Sequence, residues 1–429
     1  MKYYSTNHKS PDVSFKKAVL QSMAPDRGLY FPEKIPVLDD GFFKKLPEMP
    51  LSEIGFYFLQ PYVDGALPDD ELRKIMKEVF CFDIPLVKVE PDKYTLELFH
   101  GPTLAFKDVG ARTLARFLSY FSGSHKTTVL VATSGDTGSA VAHGFFNMPN
   151  VEVVVLYPQN KVSRLQEKQF TTLGKNITAL EVAGNFDDCQ RMVKAAFTDP
   201  ELTGRMHLSS ANSINIARLL PQAIYYFYAY ARLKKRDQPV VISVPTGNLG
   251  NLAAGLLAKK SGLPVSRFVA SGNRNNVFQE YLETGIFTAR PSVQTISNAM
   301  DVGNPSNLVR IQELYGYSAE ALRKEIVPFY FSDEATRRTI ADVYRRDKYI
   351  LDPHGAVAYS GLSAYMKEKK VTGIFLETAH PAKFYQVVEE EIHAGVPVPQ
   401  RLAKSLHLPK KSIEIGNRPE DLKNFLLEH

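Results

Sequence analysis

The lysine best suited to covalent chemistry is Lys107, in the segment HGPTLAFKD at 100–108. It directly follows an apolar, turn-forming run, so its ammonium group receives little solvation. Desolvation lowers the pKa of a lysine and makes its amine a nucleophile that can form a Schiff base. The alternative is a surface lysine beside Asp108, whose stem covers apolar residues while its head stays in water. The surrounding motifs must decide between the two.

One strand-to-helix turn consists of Gly247, Asn248, Leu249, Gly250 and Asn251. Successive amides at the start of a helix form a cradle for phosphate, and the glycines let a ligand approach the backbone. The same pattern fits a tight turn that binds nothing. It lacks the Gly-Lys-Ser/Thr of a P-loop and the third glycine of a dinucleotide-binding fingerprint.

A second strand-to-helix turn is rich in hydroxyl groups, with Thr133, Ser134, Asp136 and Thr137. Hydroxyls and helix N-terminal amides suit a carboxylate, such as that of an amino acid. The structural alternative is a helix capped by Ser134 or Asp136.

Two more polar segments add a possible anion site and a further strand end. Asn215 and Arg218 lie three residues apart and share a face if the segment is helical, and a guanidinium beside amides suits phosphate. An arginine on a solvated helix face is the alternative. Thr378 ends an apolar run, where a helix N-cap is the ordinary explanation. Together with Lys107, these sites indicate pyridoxal phosphate acting on a phosphorylated amino acid.

Short apolar runs separated by helical segments must position these residues. The runs lie at 128–132, 151–156, 177–182, 240–244, 268–271 and 374–377. Such alternation predicts parallel sheets covered on both faces, with ligands at the carboxyl ends of the strands. Residues up to about 92 indicate helices broken by turns instead, with helices predicted at 14–20, behind Ser14 as N-cap, and at 72–82. Asp187 or Asp188 is predicted to open the helix after the third run.

Length and composition fit an ordinary globular protein of two or three domains. The chain has 429 residues, 44% hydrophobic and 23% charged. The net charge of +6 is mild, and the basic cluster at 234–236 is predicted to mark a solvated helix end, not a nucleic-acid stripe. Two distant cysteines argue against a zinc site and a disulfide scaffold. The sequence shows no signal peptide, transit peptide or membrane-spanning run, which predicts the cytoplasm.

In this order, the motifs resemble those of the threonine synthases, and the long form with an added N-terminal domain fits best. The matching segments are RGLYFP at 27–32, LFHGPTLAFKD at 98–108, ATSGDTG at 132–138, NSIN at 212–215, PTGNLGN at 245–251 and ETAHPAKF at 377–384. The resemblance runs essentially end to end. It departs at Leu249, where the family usually has Phe, while the neighbouring glycines and asparagines are kept.

The resemblance implies the α/β fold of type II pyridoxal-phosphate enzymes, similar to tryptophan synthase β. Two parallel-sheet lobes are expected, with an additional, mostly helical N-terminal domain. The expected domains are 1–92 and 93–429, with the smaller lobe around 125–205. The implied enzyme is a carbon–oxygen lyase acting on phosphates, with pyridoxal 5′-phosphate as cofactor. It converts O-phospho-L-homoserine and water into L-threonine and phosphate, the last step of threonine biosynthesis.

The resemblance also implies roles for individual residues. Lys107 forms the Schiff base and then removes the Cα proton. The cofactor phosphate is held by Gly247, Asn248, Leu249, Gly250 and Asn251, and Thr378 faces the pyridine nitrogen. The substrate carboxylate is received by Thr133, Ser134, Asp136 and Thr137. A clamp for the departing phosphate is hypothesised from Asn215, Arg218 and Lys161. No metal is expected.

Three histidines near these motifs are predicted to have structural roles. His354 is expected to cap the following helix and not to act in catalysis, because Lys107 already carries out the proton transfers. His100 and His380 are expected to make local hydrogen bonds.

Other functions remain open at this point. A related phospholyase would eliminate phosphate from the same substrate without placing water correctly. Other type II enzymes, such as serine or threonine dehydratases and cysteine synthase, fit less well because they lack the Asn212 cluster and the N-terminal domain. A non-catalytic binder of phosphorylated metabolites is disfavoured because the chain keeps Lys107. No nucleic-acid or membrane partner is predicted, and the sequence does not indicate an oligomeric state.

Overall fold

The computed structural model describes residues 1–234 and 237–429. Lys235 and Arg236, in the basic cluster predicted to mark a helix end, lie outside the described residues. The fourteen strands of the described chain are β1 Lys2–Ser5, β2 Val13–Ser14, β3 Tyr30–Pro32, β4 Leu86–Glu90, β5 Lys93–Glu97, β6 Thr127–Ala132, β7 Val151–Pro158, β8 Ile177–Val182, β9 His207–Ser210, β10 Val240–Pro245, β11 Arg267–Gly272, β12 Ile326–Tyr330, β13 Thr372–Glu377 and β14 Ile413–Ile415.

Helices cover the sheets and connect most of the strands. Those in the first half are α1 Phe15–Gln21, α2 Asp40–Lys45, α3 Leu51–Val63, α4 Asp69–Val79, α5 Lys107–Ser122, α6 Asp136–Phe145, α7 Arg164–Thr171, α8 Phe186–Thr198, α9 Pro200–Arg205 and α10 Ile216–Leu219. Those in the second half are α11 Ala223–Arg232, α12 Gly250–Lys260, α13 Val277–Thr284, α14 Leu308–Leu314, α15 Ala319–Glu325, α16 Asp333–Asp347, α17 Pro353–Met366, α18 Tyr385–Ile392, α19 Gln400–Leu406 and α20 Pro419–Glu428. Short 3₁₀ helices lie at Leu220–Gln222, Asn298–Met300 and Pro381–Phe384. None of the helices in the described ranges combines the length and apolar character needed to cross a membrane.

The strands form two large sheets and one small one. The six-stranded sheet has the order β12-β11-β10-β13-β5-β4 and is parallel except for β4, which runs antiparallel to β5. The five-stranded sheet, β14-β8-β7-β6-β9, is parallel throughout. Strands β6, β10 and β13 are buried along their whole length, as strands covered on both faces must be. The predicted pair of parallel-sheet lobes is confirmed.

Strand direction decides where the chemistry can occur. Because β5, β13 and β10 are mutually parallel, their carboxyl ends meet at one edge of the six-stranded sheet. The turn at Gly247 follows β10, Thr378 follows β13, and the segment leading to Lys107 follows β5. Strand β6 belongs to the five-stranded sheet and ends immediately before Thr133.

The structure confirms one predicted helix start and shifts two others. Ser14 is the N-cap of α1, and its hydroxyl accepts from the amide of Lys17 at 3.4 Å. The helix predicted at 72–82 begins and ends three residues earlier, as α4. Neither Asp187 nor Asp188 opens α8, because Asn185 is its N-cap. The Asn185 side chain accepts from the Asp188 amide, and the Asp188 side chain accepts from the Asn185 amide in return.

One continuous apolar core joins the N-terminal helices to both large sheets. In it the ring of Phe15 in α1 meets that of Phe117 in α5 edge-on, with 5.3 Å between centroids. Strand β4 precedes residue 93 but pairs with β5 of the six-stranded sheet. The division of the chain at residue 92 stays a prediction.

Candidate active site

Lys107 is the first residue of α5, and the backbone on its N-terminal side is fixed by hydrogen bonds. The amide of Phe106 donates to the Thr378 carbonyl at 2.9 Å, and the hydroxyl of Tyr225 donates to the Phe106 carbonyl. Leu104 has a φ of 59°, a left-handed conformation that is costly for leucine and concentrates at functional sites. The backbone segment that precedes Lys107 is therefore held in one conformation.

The alternative of a surface lysine beside Asp108 does not hold, because Asp108 is buried and Lys107 is itself only partly exposed. The Asp108 carboxylate accepts from the amide and hydroxyl of Thr103, at 2.9 and 2.6 Å. A Cβ at Gly101 would lie 2.4 Å from a carboxylate oxygen of Asp108, so only glycine fits there. Asp108 closes the loop before Lys107 and is no ion-pair partner on the protein surface.

The environment of Lys107 makes its amine reactive. Desolvation lowers the pKa of Lys107 from 10.5 to about 8, and the positive charges of Lys383 and Arg218 act in the same direction. The carboxylates of Asp136 and Asp352 oppose that change. At pH 7 about a tenth of the amine is then unprotonated, far more than for a lysine with the ordinary pKa, which favours Schiff-base formation.

The turn after β10 has the features of an anion cradle. No described residue accepts a hydrogen bond from the five consecutive amides of residues 247–251. A Cβ on Gly247 would lie 2.8 Å from the Cα of Met300, so any side chain there would distort the turn. Leu249 has a left-handed φ of 61° and directs the chain into α12. Free amides at a helix start suit a phosphate group.

The two asparagine side chains of this turn are used to hold its shape. Asn248 donates to the hydroxyl of Ser213 and accepts from the amide of Ser306, both at 2.6 Å. Asn251 donates to the Pro245 carbonyl at 2.8 Å and accepts from the Leu252 amide at 2.9 Å. The backbone amides, not these side chains, are free to bind a ligand.

The turn after β6 also presents free amides. The Thr133 hydroxyl accepts from the amides of Gly135 and Gly138, at 2.9 and 2.8 Å, and is thereby committed to the turn. Among the described residues, none accepts from the amides of Ser134, Asp136 or Thr137. The N-cap is Gly135, so neither Ser134 nor Asp136 caps this helix through its side chain. This turn suits a carboxylate ligand.

The carboxylate of Asp136 is bound within the protein. Lys383 lies 2.6 Å from Asp136 Oδ1, and the Gln166 amide donates to the same oxygen at 2.9 Å. Lys383 and Lys107 outweigh the desolvation of Asp136, and its pKa falls to about 2. Asp136 can therefore serve a substrate carboxylate through its backbone amide only.

Arg218 is buried and has an unused donor edge. Its Nη1 donates to the carbonyl of Ala211, while Nε is buried without an acceptor and no described residue accepts from Nη2. Desolvation lowers the pKa of the guanidinium to about 10, so it stays charged at neutral pH. Because the charge of Arg218 also influences Lys107, the guanidinium lies near the candidate active site. A paired donor edge suits a phosphate.

The structure does not bring Asn215 and Lys161 to this edge. Asn215 caps α10, accepting from the Ala217 amide at 3.0 Å, and its side-chain NH₂ donates to the Val19 carbonyl and the Ser22 hydroxyl, at 2.9 and 2.8 Å. Both side-chain N–H groups are directed toward α1 and the residue that follows it, and the side-chain oxygen caps α10. Lys161 is exposed, and its positive charge adds to the Asn185 amide and Arg191 in lowering the pKa of Asp188. Sequence spacing could not show which way either side chain points.

We expect Asn215→Ala to lower the free energy of unfolding by about 2 kcal/mol, because it leaves buried partners unpaired and removes a helix cap. Urea unfolding followed by circular dichroism measures this loss. Unchanged stability, with weakened binding of inorganic phosphate, would support the clamp role instead.

The structure reassigns the two caps predicted at Thr378 and His354, and it confirms the local hydrogen bonds predicted for His380 and His100. Thr378 is not a helix N-cap, because His380 fills that position for the following 3₁₀ helix and accepts from the Ala382 amide at 3.1 Å. Desolvation lowers the pKa of His380 to about 4, and it is neutral at pH 7. Asp352, not His354, caps α17. His354 Nδ1 is 2.5 Å from Asp352, and its Nε2 accepts from the Ala299 amide beside the cradle. His100 hydrogen-bonds Glu97, as expected of a local partner.

Sequence reasoning missed three residues that shape the site: Lys383, Gln166 and Tyr225. A signal existed for Lys383, since it lies in the segment 377–384 and a lysine next to apolar residues needs a partner if buried. Gln166 and Tyr225 carried no signal, because they lie outside the motifs and their partners, Asp136 and Phe106, are 30 and 119 residues away in sequence.

Comparison with known proteins gives concordant matches over the whole chain. Residues 92–412 match the family of pyridoxal-phosphate dependent enzymes, and residues 2–80 match the threonine synthase N terminus. The chain is 47% identical to the threonine synthase of Haemophilus influenzae and 42% identical to that of Escherichia coli, covering 100% of both chains in each case. The crystal structure of the Escherichia coli protein has a TM-score of 0.94 at 41% identity, covering 100% of each chain. That of pyridoxal-phosphate-bound threonine synthase from Brucella melitensis has a TM-score of 0.93 at 33% identity, covering 100% of this chain and 99% of the other.

Proposed function

Since this chain belongs to the threonine synthases, we propose that its cleft converts O-phospho-L-homoserine and water into L-threonine and phosphate, the last step of threonine biosynthesis. The protein is an enzyme of the lyase class, and its cofactor is pyridoxal 5′-phosphate. One observation carries the proposal beyond family membership: Lys107, with its lowered pKa, begins a helix at the sheet edge where the cradle after β10 leaves five amides free.

The residues present fit the cofactor. The free amides of residues 247–251 would hold its phosphate, and Lys107 would bind its aldehyde carbon. The hydroxyl of Thr378 would face its ring nitrogen, and no described side chain or carbonyl binds that hydroxyl. When bound, pyridoxal phosphate supplies the electron sink that stabilises negative charge beside the amino-acid nitrogen.

The protein supplies proton transfer and orientation. With a pKa near 8, the Lys107 Nζ can accept a proton from the substrate Cα and return it later at neutral pH. The amides of Ser134, Asp136 and Thr137 orient the substrate carboxylate from the opposite sheet. A neutral hydroxyl at Thr378 does not force a proton onto the ring nitrogen, which tempers the electron withdrawal there.

Arg218 is the residue best placed to hold the substrate phosphate. Its free Nε and Nη2 form a two-donor edge, and its guanidinium stays charged. The phosphate that leaves Cγ is retained beside Cβ, where it can take a proton from the attacking water. Binding of the substrate phosphate would also explain why Arg218 is buried although no carboxylate accepts a hydrogen bond from it.

The function is tested by incubating the loaded enzyme with phosphohomoserine and measuring phosphate, threonine and 2-oxobutyrate. Equal amounts of phosphate and threonine support the proposal. Phosphate with 2-oxobutyrate and no threonine identifies a phospholyase. No turnover by protein that has bound the cofactor at Lys107 identifies a non-catalytic binder.

We expect the rate of cofactor loading to rise with pH up to about 8 and then level off, because the unprotonated Lys107 amine is the nucleophile and its pKa is about 8. For a lysine with the ordinary value of 10.5, the rise would continue past pH 9. Stopped-flow absorbance after mixing cofactor-free enzyme with pyridoxal phosphate measures the profile. A rise without a plateau below about pH 10 contradicts a lowered pKa.

The cellular setting and domain division also belong to this proposal. The two free cysteines, Cys81 and Cys189, support a reducing compartment and hence a cytoplasmic enzyme. The match of residues 2–80 to a separate N-terminal family supports a distinct N-terminal domain.

A further inference from the structure

The buried ion pair of Lys383 and Asp136 connects the two large sheets. Lys383 lies in the 3₁₀ helix that follows β13 of the six-stranded sheet, and Asp136 begins α6 after β6 of the five-stranded sheet. Their charged atoms are 2.6 Å apart, and their side chains are 0% and 4% exposed. Burying such a pair costs desolvation, and removal of either partner leaves an uncompensated buried charge.

Two observations link this pair to the candidate active site. Asp136 belongs to the turn whose amides are free, and Gln166 holds the same carboxylate oxygen at 2.9 Å. Both charges act on Lys107, in opposite directions. The state of the pair therefore affects the reactive nitrogen.

We propose that Lys383 is a positioning residue that fixes the turn at Asp136 across the two sheets and cancels its negative charge beside Lys107. The inference rests on the proposed function in one respect, that Lys107 binds the cofactor. The groups that act on Lys107 are Asp136 from α6, Lys383 from the 3₁₀ helix, Arg218 from α10 and Asp352 before α17.

The signs of the charge effects give a distinctive test. Lys383→Met removes a positive charge and leaves Asp136 uncompensated, so the pKa of the Lys107 nitrogen should rise. Asp136→Asn leaves Lys383 uncompensated, so that pKa should fall. A double variant removes both charges and should return close to the parent value. A purely structural role predicts no opposed shifts, since loosening the site would admit water in both single variants.

The experiment is a pH titration of the visible absorbance of the full-length protein loaded with pyridoxal phosphate. We expect the midpoint of Lys383→Met to rise by about one pH unit and that of Asp136→Asn to fall by about one, with the double variant between them. Lys367→Met, at an exposed position after α17, is the matched charge control and should not move the midpoint.

Opposed shifts support the inference, and shifts in the same direction or none at all overturn it. If Lys383→Met alone fails to fold, the comparison of Asp136→Asn with the double variant decides, because adding the second change must then raise the midpoint. The titration uses no phosphohomoserine, so its outcome is independent of whether the enzyme forms threonine.

Discussion

Lys107→Ala is expected to lower the rate of threonine formation by about 10³-fold or more, the largest effect of any single substitution in this protein. In the proposed mechanism, the variant loses the amine that binds the cofactor and the base that moves protons at the substrate Cα. Steady-state assays with saturating pyridoxal phosphate measure the loss. Borohydride reduction followed by peptide mass spectrometry should find the cofactor attached at Lys107 in the parent chain and nowhere in the variant.

The control for this experiment is Lys16→Ala, an exposed lysine in α1. It should keep the parent activity and the attachment at Lys107. Retention of most activity by Lys107→Ala, or attachment of the cofactor at another lysine in the parent protein, would contradict the assignment. A change in the melting temperature would show whether the variant has lost its fold instead of its chemistry.

The sequence predicts the positions of the motifs well because strand direction determines them. Runs such as 240–244 and 374–377 are apolar throughout, which is typical of strands buried on both faces. Parallel pairing of these strands then brings Gly247 and Thr378 to one edge of the sheet. The segments that lie at the edge of the sheet can therefore be predicted from the order of apolar runs in the sequence. Their local conformations, such as the left-handed Leu249, did not.

Side-chain direction is the part that the sequence could not supply. Asn215 and Arg218 lie three residues apart, yet Asn215 is the helix cap and faces the N-terminal helices, while Arg218 keeps a free donor edge. The partners of Asn215 are almost two hundred residues away in sequence, at Val19 and Ser22. Such long-range contacts leave no trace in local spacing.

The same limit applies to Asp136, because the local sequence does not indicate the cation that binds its carboxylate. A carboxylate at a helix start usually interacts with nearby amides, and nothing near it in sequence indicated a cation. Lys383 reaches it from the other sheet, 247 residues along the chain. With the Asp136 carboxylate bound to Lys383, the backbone amides of Ser134, Asp136 and Thr137 are the groups that we propose for the substrate carboxylate.

Substitution of Arg218 is expected to have the second largest effect. Arg218→Met keeps the apolar stem but removes the charge and the free donor edge, and each charge-assisted hydrogen bond contributes about 1.5–3 kcal/mol. We therefore expect kcat/KM for phosphohomoserine to fall by about 100-fold and inhibition by inorganic phosphate to weaken in parallel. Arg218→Lys should be intermediate, because it restores the charge without the paired donors. Initial-rate assays over a range of substrate and phosphate concentrations measure both quantities.

The matched control is Arg205→Met, which removes an exposed arginine paired with Glu201 at 3.1 Å and should change neither quantity. Thermal melting of each variant separates loss of binding from loss of fold, since Arg218 also donates to the Ala211 carbonyl. The clamp is refuted if a folded Arg218→Met enzyme keeps the parent KM and phosphate inhibition. A fall in kcat/KM with unchanged phosphate inhibition would instead assign Arg218 to the environment of Lys107, whose pKa its charge helps to lower.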